Sequence, residues 1–171
     1  EIDARWQIND MFTVFAGYGI TDGEIDKYSG RPYTEGNEVP YAPEYTGNLG
    51  AELTFPIGDL ELMTRLDASF VGETWFHPVQ GERLPNLFTQ FGFGQGEFSK
   101  QVRDPYAVFN ARLTLQGENW GVTAWGRNVG AEDHLGNIVK PNDGAGLLAN
   151  HQLFELTHRA EIGIGGEINL D

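Results

Sequence analysis

Seven stretches of this 171-residue chain alternate apolar and polar side chains with a period of two, and no stretch carries a convincing 3.6-residue stripe. That pattern constrains the fold more than any motif does, because a strand with period-2 alternation has two unlike faces and needs a different medium on each. The 23 glycines and the 12% aromatic content, with few strong helix formers, point the same way, to an all-β antiparallel meander.

The alternation can be followed along the chain. Ala4, Trp6 and Ile8 oppose Arg5, Gln7 and Asn9. After a turn at Asn9-Asp10-Met11, Phe12, Val14, Ala16, Tyr18 and Ile20 oppose Thr13, Phe15, Gly17, Gly19 and Thr21. A third strand sets Tyr45, Gly47, Leu49, Ala51, Leu53 and Phe55 against Thr46, Asn48, Gly50, Glu52 and Thr54, and Pro56-Ile57-Gly58-Asp59 is expected to turn the chain. The fourth sets Leu60, Leu62, Leu66, Ala68 and Phe70 against Glu61, Arg65, Asp67, Ser69 and Glu73. The fifth sets Phe109, Ala111, Leu113 and Leu115 against Asn110, Arg112, Thr114 and Gln116. Beyond Gly117-Glu118-Asn119, the sixth places Val122 and Ala124 opposite Thr123, Trp125 and Arg127. The seventh places Ala160, Ile162, Ile164, Ile168 and Leu170 opposite Glu161, Gly163, Gly165, Glu167 and Asn169.

The connections alternate between tight and long. Those near Asn9, Pro56 and Gly117 are short. Those across Glu24 to Pro43, His77 to Asp104 and Gly130 to Leu156 run to about twenty residues or more and fall at one end of the sheet. Two readings share this pattern. In a soluble β-barrel or sandwich, used as a binding or adhesion module, the apolar face is the core. In an outer-membrane barrel it meets lipid, with short periplasmic turns and long outer loops. Strands of about ten residues suit the second reading, since a tilted membrane strand needs roughly 9 to 11, and so do the strand-end aromatics Phe12, Phe55, Phe76 and Trp120.

Bulk properties exclude other classes. With 25 acidic against 11 basic residues and a formal charge of −14, the chain lacks the clustered Lys and Arg that nucleic acid requires. The absence of cysteine removes disulfides and thiolate metal sites. No apolar run is long enough for a membrane helix, and the first residues, EIDARWQIND, lack the pattern of a signal peptide. His77, His134, His151 and His158 sit in no metal-ligand spacing, and no nucleophile motif or acid pair stands out. No catalysis, cofactor or metal is expected.

The segments GNEVPYAPEYTGNLGAEL, FVGETWFHP, YAVFNARLTL and WGVTAWGRNVGAEDHL together resemble the C-terminal barrel region of TonB-dependent outer-membrane receptors. Pro40 and Pro43 fit that likeness physically: each fixes its own φ and pushes Val39 and Ala42 toward extended geometry, so the chain drops from loop into strand. The resemblance implies a 22-stranded transmembrane β-barrel in a Gram-negative outer membrane, filled by an N-terminal plug that contacts TonB. It also implies uptake of a scarce nutrient, most often a ferric siderophore. Residues 1–171 are then expected to be the C-terminal portion of such a barrel without its plug, as a fragment, a cleavage product or a split subunit. The partners implied are membrane lipid, the remaining strands, the plug, TonB through the plug, and a small-molecule nutrient or metal chelate. Barrels of this family usually end in an aromatic residue, whereas this sequence ends GGEINLD; Leu170 is expected to stand in, or the terminus to lie beyond Asp171.

Within this reading, PNLFTQFGFGQGEF sets Phe88, Phe91, Phe93 and Phe98 among glycines in the longest loop, the best candidate for a ligand-binding element, with Trp75, Phe76 and His77 at its root. Glu52, Glu61, Arg65, Asp67, Glu73, Arg112, Arg127, Glu161 and Glu167 are expected to face the lumen, alternating in sign between neighbouring strands so that ion pairs satisfy them. Asn128 matches the asparagine of the family's penultimate strand and is expected to be structural.

Overall fold

A computed structural model describes residues 1–85, 89–139, 153–156 and 160–168, with side chains described for all of these but 137–139 and 153–156. The strands are β1 (Ile2–Asn9), β2 (Phe12–Ile20), β3 (Tyr45–Ile57), β4 (Leu60–Val71), β5 (Thr74–Trp75), β6 (Val102–Arg103), β7 (Tyr106–Gln116), β8 (Trp120–Arg127), β9 (Leu135–Val139), β10 (Leu153–Leu156) and β11 (Glu161–Ile168). Seven of them form one antiparallel sheet in the order β1-β2-β3-β4-β7-β8-β11. Every neighbour in that sheet is also the next sheet strand along the chain, so the meander expected from the alternation is present. No helix among the described residues is long and apolar enough to cross a membrane.

Three tight turns close one end. Asn9 Oδ1 accepts the Met11 amide at 2.8 Å, Gly58 turns the chain at φ 62°, and the Gly117 amide donates to the Trp120 carbonyl at 2.8 Å. The third strand runs through Pro56 and Ile57, so its turn is Gly58-Asp59 rather than the four residues expected. The Thr54 amide points at the Met11 carbonyl, and the Pro56 nitrogen points the same way, where β2 has already ended. No ladder bond is lost there, so proline is tolerated within the strand.

The register fixes the two faces. Glu52 stands opposite Thr13 and Arg65, Arg65 opposite Arg112, and Arg112 opposite Trp125, all on the polar face. On the other face, large apolar side chains are uncovered: Ile162 is 84% exposed, Ile164 80%, Ile2 73%, Ile20 70% and Trp6 67%. A soluble sandwich would bury this stripe under a second layer. Among described residues the buried apolar side chains are instead Ala68 on β4 and Phe76, Val79 and Phe98 in the connection from β4 to β7.

The long connections are not structureless. β5 pairs with β6 and β9 with β10 as two-stranded ribbons, and Pro32–Thr34 forms a 3-10 turn. The first two loops are bolted together. Tyr41 N donates to Trp75 O at 2.8 Å, Asn37 Nδ2 to Pro78 O at 2.9 Å, Gln80 Nε2 to Glu38 O at 2.8 Å and the Tyr33 hydroxyl to Pro85 O at 3.0 Å. These bonds satisfy loop backbone that would otherwise need water.

Candidate functional site

The polar wall and the loop cluster are the two places where chemistry gathers. On the wall, Arg5 donates to Glu52 at 2.7 Å, Arg65 donates to Glu52 at 2.8 Å and to Asp67 at 3.2 Å, and Asn110 Nδ2 donates to Asp67 at 2.8 Å. Asn110 Oδ1 in turn accepts the Asn128 amide at 3.1 Å. The network therefore runs unbroken from the edge strand β1 across to Asn128, the residue that follows β8. Two aromatic rings lie flat against this wall over glycines, Phe15 over Gly50 and Trp125 over Gly163, where an added Cβ would collide with each ring. Arg65 Cζ stands 4.6 Å from the Phe15 ring centre and Arg127 Cζ 5.2 Å from that of Trp125, both in cation–π range.

Sign alternation between strands holds at Glu52 and Arg65 and fails at Arg65 and Arg112, which are register partners of like charge. Arg127 lies opposite Glu161 in the ladder, yet neither Arg127 nor Arg112 makes an ion pair among the described residues. Glu161 and Glu167 are exposed on β11, and Glu61 lies opposite Pro56 and Gln116. Glu73, expected on the fourth strand, lies beyond it: β4 stops at Val71, and Gly72 instead donates to the Tyr45 carbonyl at 2.8 Å.

At the other end of the sheet, the loop residues divide into scaffold and surface. Phe76 is buried, edge-on to Tyr41 at 5.4 Å, and its amide donates to Gln101 O at 2.8 Å. His77 stacks on Phe98 at 5.0 Å, and its Nδ1 accepts the Val79 amide at 3.0 Å; Phe98 itself is 1% exposed. Trp75 is half-buried on β5, and its carbonyl holds Tyr41. Phe91 and Phe93 instead project outward, 68% and 44% exposed, beside Gly92 at φ 84°. Phe88, His151 and His158 lie outside the described residues.

Two features here were not legible beforehand. Arg103 donates to Thr74 Oγ1 at 3.0 Å and to Leu135 O at 3.1 Å, and its guanidinium lies 4.8 Å from the Tyr106 ring centre and 5.5 Å from that of Phe76. His134 stacks on Tyr106 at 3.7 Å, so one cation and one imidazole clasp the second loop to the third. Burial, and then the Arg103 charge, hold the His134 pKa below its ordinary value. Separately, Glu38, Glu44 and Glu73 each offer a carboxylate oxygen within 4.8 Å of the others. Burial, and then the charges of Glu44 and Glu73, raise the Glu38 pKa. Both groupings join residues tens of positions apart, which no spacing rule could link; only the polarity of Arg103 next to an aromatic strand start hinted at the first.

A family profile described as TonB dependent receptor-like, beta-barrel matches residues 1–129. The chain belongs to that family. Its fold is also similar to two solved structures. Against the ferric yersiniabactin uptake receptor FyuA from Yersinia pestis, the TM-score is 0.75 at 14% identity, over 99% of this chain and 22% of that one. Against the siderophore receptor PiuA from Acinetobacter baumannii, the TM-score is 0.64 at 13% identity, over 95% of this chain and 20% of that one. At these identities the likeness is one of fold, and the chain spans about a fifth of the length of either receptor. The all-β meander expected from alternation and from motif resemblance is present as the seven-stranded sheet.

Proposed function

We propose that this chain forms part of the wall and outer loops of an outer-membrane receptor in a Gram-negative bacterium, taking up a scarce nutrient with a ferric siderophore as cargo. The observation that carries this reading is the pairing of an uncovered apolar stripe on one face with an ion-paired polar wall on the other. Lipid suits the first and a polar lumen the second. The neighbours named as a ferric yersiniabactin uptake receptor and a siderophore receptor support the choice of cargo.

In this reading the tight turns face the periplasm and the three long connections face outward. Phe91 and Phe93 meet the cargo, while Trp75, Phe76, His77 and Phe98 hold the loop that presents them. Glu52, Arg65, Asp67, Arg112, Arg127, Glu161 and Glu167 line the lumen. The remaining strands close the barrel, and a plug that contacts TonB fills it. Capture and gated passage require no covalent chemistry.

The test is uptake of radiolabelled iron, presented as a panel of chelates, by cells carrying or lacking the gene. Energy-dependent uptake of at least one chelate is expected to disappear with the gene. Unchanged uptake of every chelate, together with a protein that stays soluble without detergent, would sink the proposal.

A further inference from the structure

The second loop is built as a two-ply arm. β5 and β6 pair at its root, and the pairing continues irregularly outward: Phe76 N donates to Gln101 O at 2.8 Å, Phe98 N to Gly81 O at 3.0 Å, and Leu84 and Gly96 exchange amide bonds at 3.0 and 2.8 Å. The first loop lies along this arm. Tyr41, Glu38, Asn37 and Tyr33 bond in turn to Trp75, Gln80, Pro78 and Pro85. Gln80 grips Glu38 twice, its Oε1 accepting the Glu38 amide at 3.1 Å while its Nε2 donates to the Glu38 carbonyl at 2.8 Å. Neither loop can swing away from the other without breaking this row of bonds.

Inside the arm one polar group is out of place. Gln101 is 0% exposed, yet neither its Oε1 nor its Nε2 meets a hydrogen-bonding partner among the described residues. A buried amide bonded at neither end gives up its bonds to water and regains nothing. Because the side chain reaches no surface, strands or a plug laid against the outside of this chain could not supply the partner. Opening the arm restores both bonds at once, through water. Backbone geometry pushes the same way: Tyr41 on the first loop and Arg83 on the arm hold φ at 64° and 53°, left-handed values that side chains disfavour.

We propose that the arm and the first loop form a single lid that opens as one body, and that the buried amide of Gln101 is what keeps its closed form shallow. Segments that must move are drawn from the least stable parts of a fold, and an unpaired amide placed in the packed interior of the arm is a means of keeping this one there. The amide raises the open-to-closed ratio by about tenfold or more. That the lid stands over an outer mouth rests on the receptor reading; its opening does not.

The experiment is hydrogen exchange read by mass spectrometry on the intact native protein that contains this chain, extracted from outer membranes in detergent, with and without Gln101→Met. Methionine keeps the length and nearly the volume of glutamine and removes both polar ends. Protection, the exchange rate compared with the intrinsic rate at the same pH, is expected to rise about tenfold in peptides from residues 74–85 and 96–103. Through the bonds between the loops it should rise by a similar factor in residues 33–41, with no change in β3 and β4. Resistance to SDS before heating checks folding, and Gln101→Leu reads the same gain if the methionine variant does not fold. Protection of the arm that falls would show the amide to be bonded after all, to water or to a neighbour, and would overturn the proposal. Unchanged protection would overturn it as well, and a rise confined to the arm would overturn the single lid. Failure of the receptor reading shows elsewhere, as iron uptake that does not depend on the gene.

Discussion

Arg65 bridges Glu52 and Asp67 while lying over the Phe15 ring, so that one side chain joins three strands of the wall. All three charged groups are partly exposed, and solvent discounts each pair to well under about 1 kcal/mol. The ring contact adds about 0.5 to 1 kcal/mol. Arg65→Met is therefore expected to lower the temperature at which the barrel becomes heat-sensitive in SDS more than Glu52→Gln does. The gap should persist in high salt, because each substitution removes two ion pairs, which salt screens, and only Arg65→Met also removes the ring contact. Equal effects of the two substitutions at every salt concentration would contradict this ranking.

Phe15 and Trp125 cover glycines in the same manner but with different room to move. A Cβ at Gly50 meets the Phe15 ring and also the Leu66 carbonyl oxygen at 2.9 Å, whereas at Gly163 the nearest atoms all belong to the Trp125 side chain. Gly50→Ala is expected to cost about 2 kcal/mol because backbone must shift. Gly163→Ala displaces the indole instead, so its signature is a changed Trp emission with little loss of stability. Thermal melting and fluorescence of the two variants separate these outcomes.

Asn128 adopts φ 47°, and its side chain brackets the next turn, with Oδ1 accepting from Glu132 N at 3.0 Å and Nδ2 donating to Glu132 O at 2.9 Å. Asn128→Ala loses both bonds in a left-handed backbone that alanine disfavours, a cost of about 2 to 3 kcal/mol. Asn128→Gly relieves the backbone but not the bonds and is expected to fall between the two. Limited proteolysis of the connection from β8 to β9 provides the readout, with cleavage fastest in the alanine variant.

The clasp between the second and third loops should depend on pH. The folded state lowers the His134 pKa from its ordinary 6.5, so the folded form binds fewer protons than the opened one. Its stability is full above about pH 6.5 and declines as pH falls toward the folded value. Arg103, Glu132 and Asp133 are the charges acting on it, and Arg103 opposes protonation. Glu38 runs oppositely: its raised pKa favours the folded loops at acid pH, and that contribution is lost as pH rises through the folded value. The protection of the Leu135 amide, its exchange rate compared with the intrinsic rate at the same pH, is expected to fall between about pH 7.5 and pH 5 and to lose this dependence in His134→Phe. Glu38→Gln should slow exchange in the first loop at neutral pH.

Phe98 and Phe91 lie in one loop with opposite surroundings. Phe98→Ala empties a buried site, at a cost of about 3 to 5 kcal/mol that is expected to open the loop to protease. Phe91→Ala with Phe93→Ala removes rings that are exposed, so loop stability should fall less than with Phe98→Ala while affinity for the transported chelate falls about tenfold or more. Chelate binding unchanged by the double substitution would remove these rings from the proposed capture surface.

The sheet could be read from the sequence because each of its strands meets two different media, and alternation records that directly. Phe15 and Trp125 could be placed on the polar face by parity alone, even though their chemistry suggests the other one. Parity did not reveal why they are there, since Gly50 and Gly163 are brought beside them only by the register. β5, β6, β9 and β10 escaped notice because ribbons of 2 to 5 residues carry too few alternations to register as a period. The scaffold role of Phe98, against the exposure of Phe91, was likewise beyond reach: both sit among glycines, and only tertiary packing distinguishes them.

β1 and β11 close the two ends of the sheet order, and among the described residues each leaves one side of an eight-residue strand without a hydrogen-bonding neighbour. In hydrocarbon every such amide and carbonyl costs several kcal/mol, so neither margin can face lipid alone. In the proposed receptor the two seams therefore act as a checkpoint on biogenesis. This sheet can enter a bilayer only as its margins are zipped to further strands, and insertion is tied to completion of the barrel.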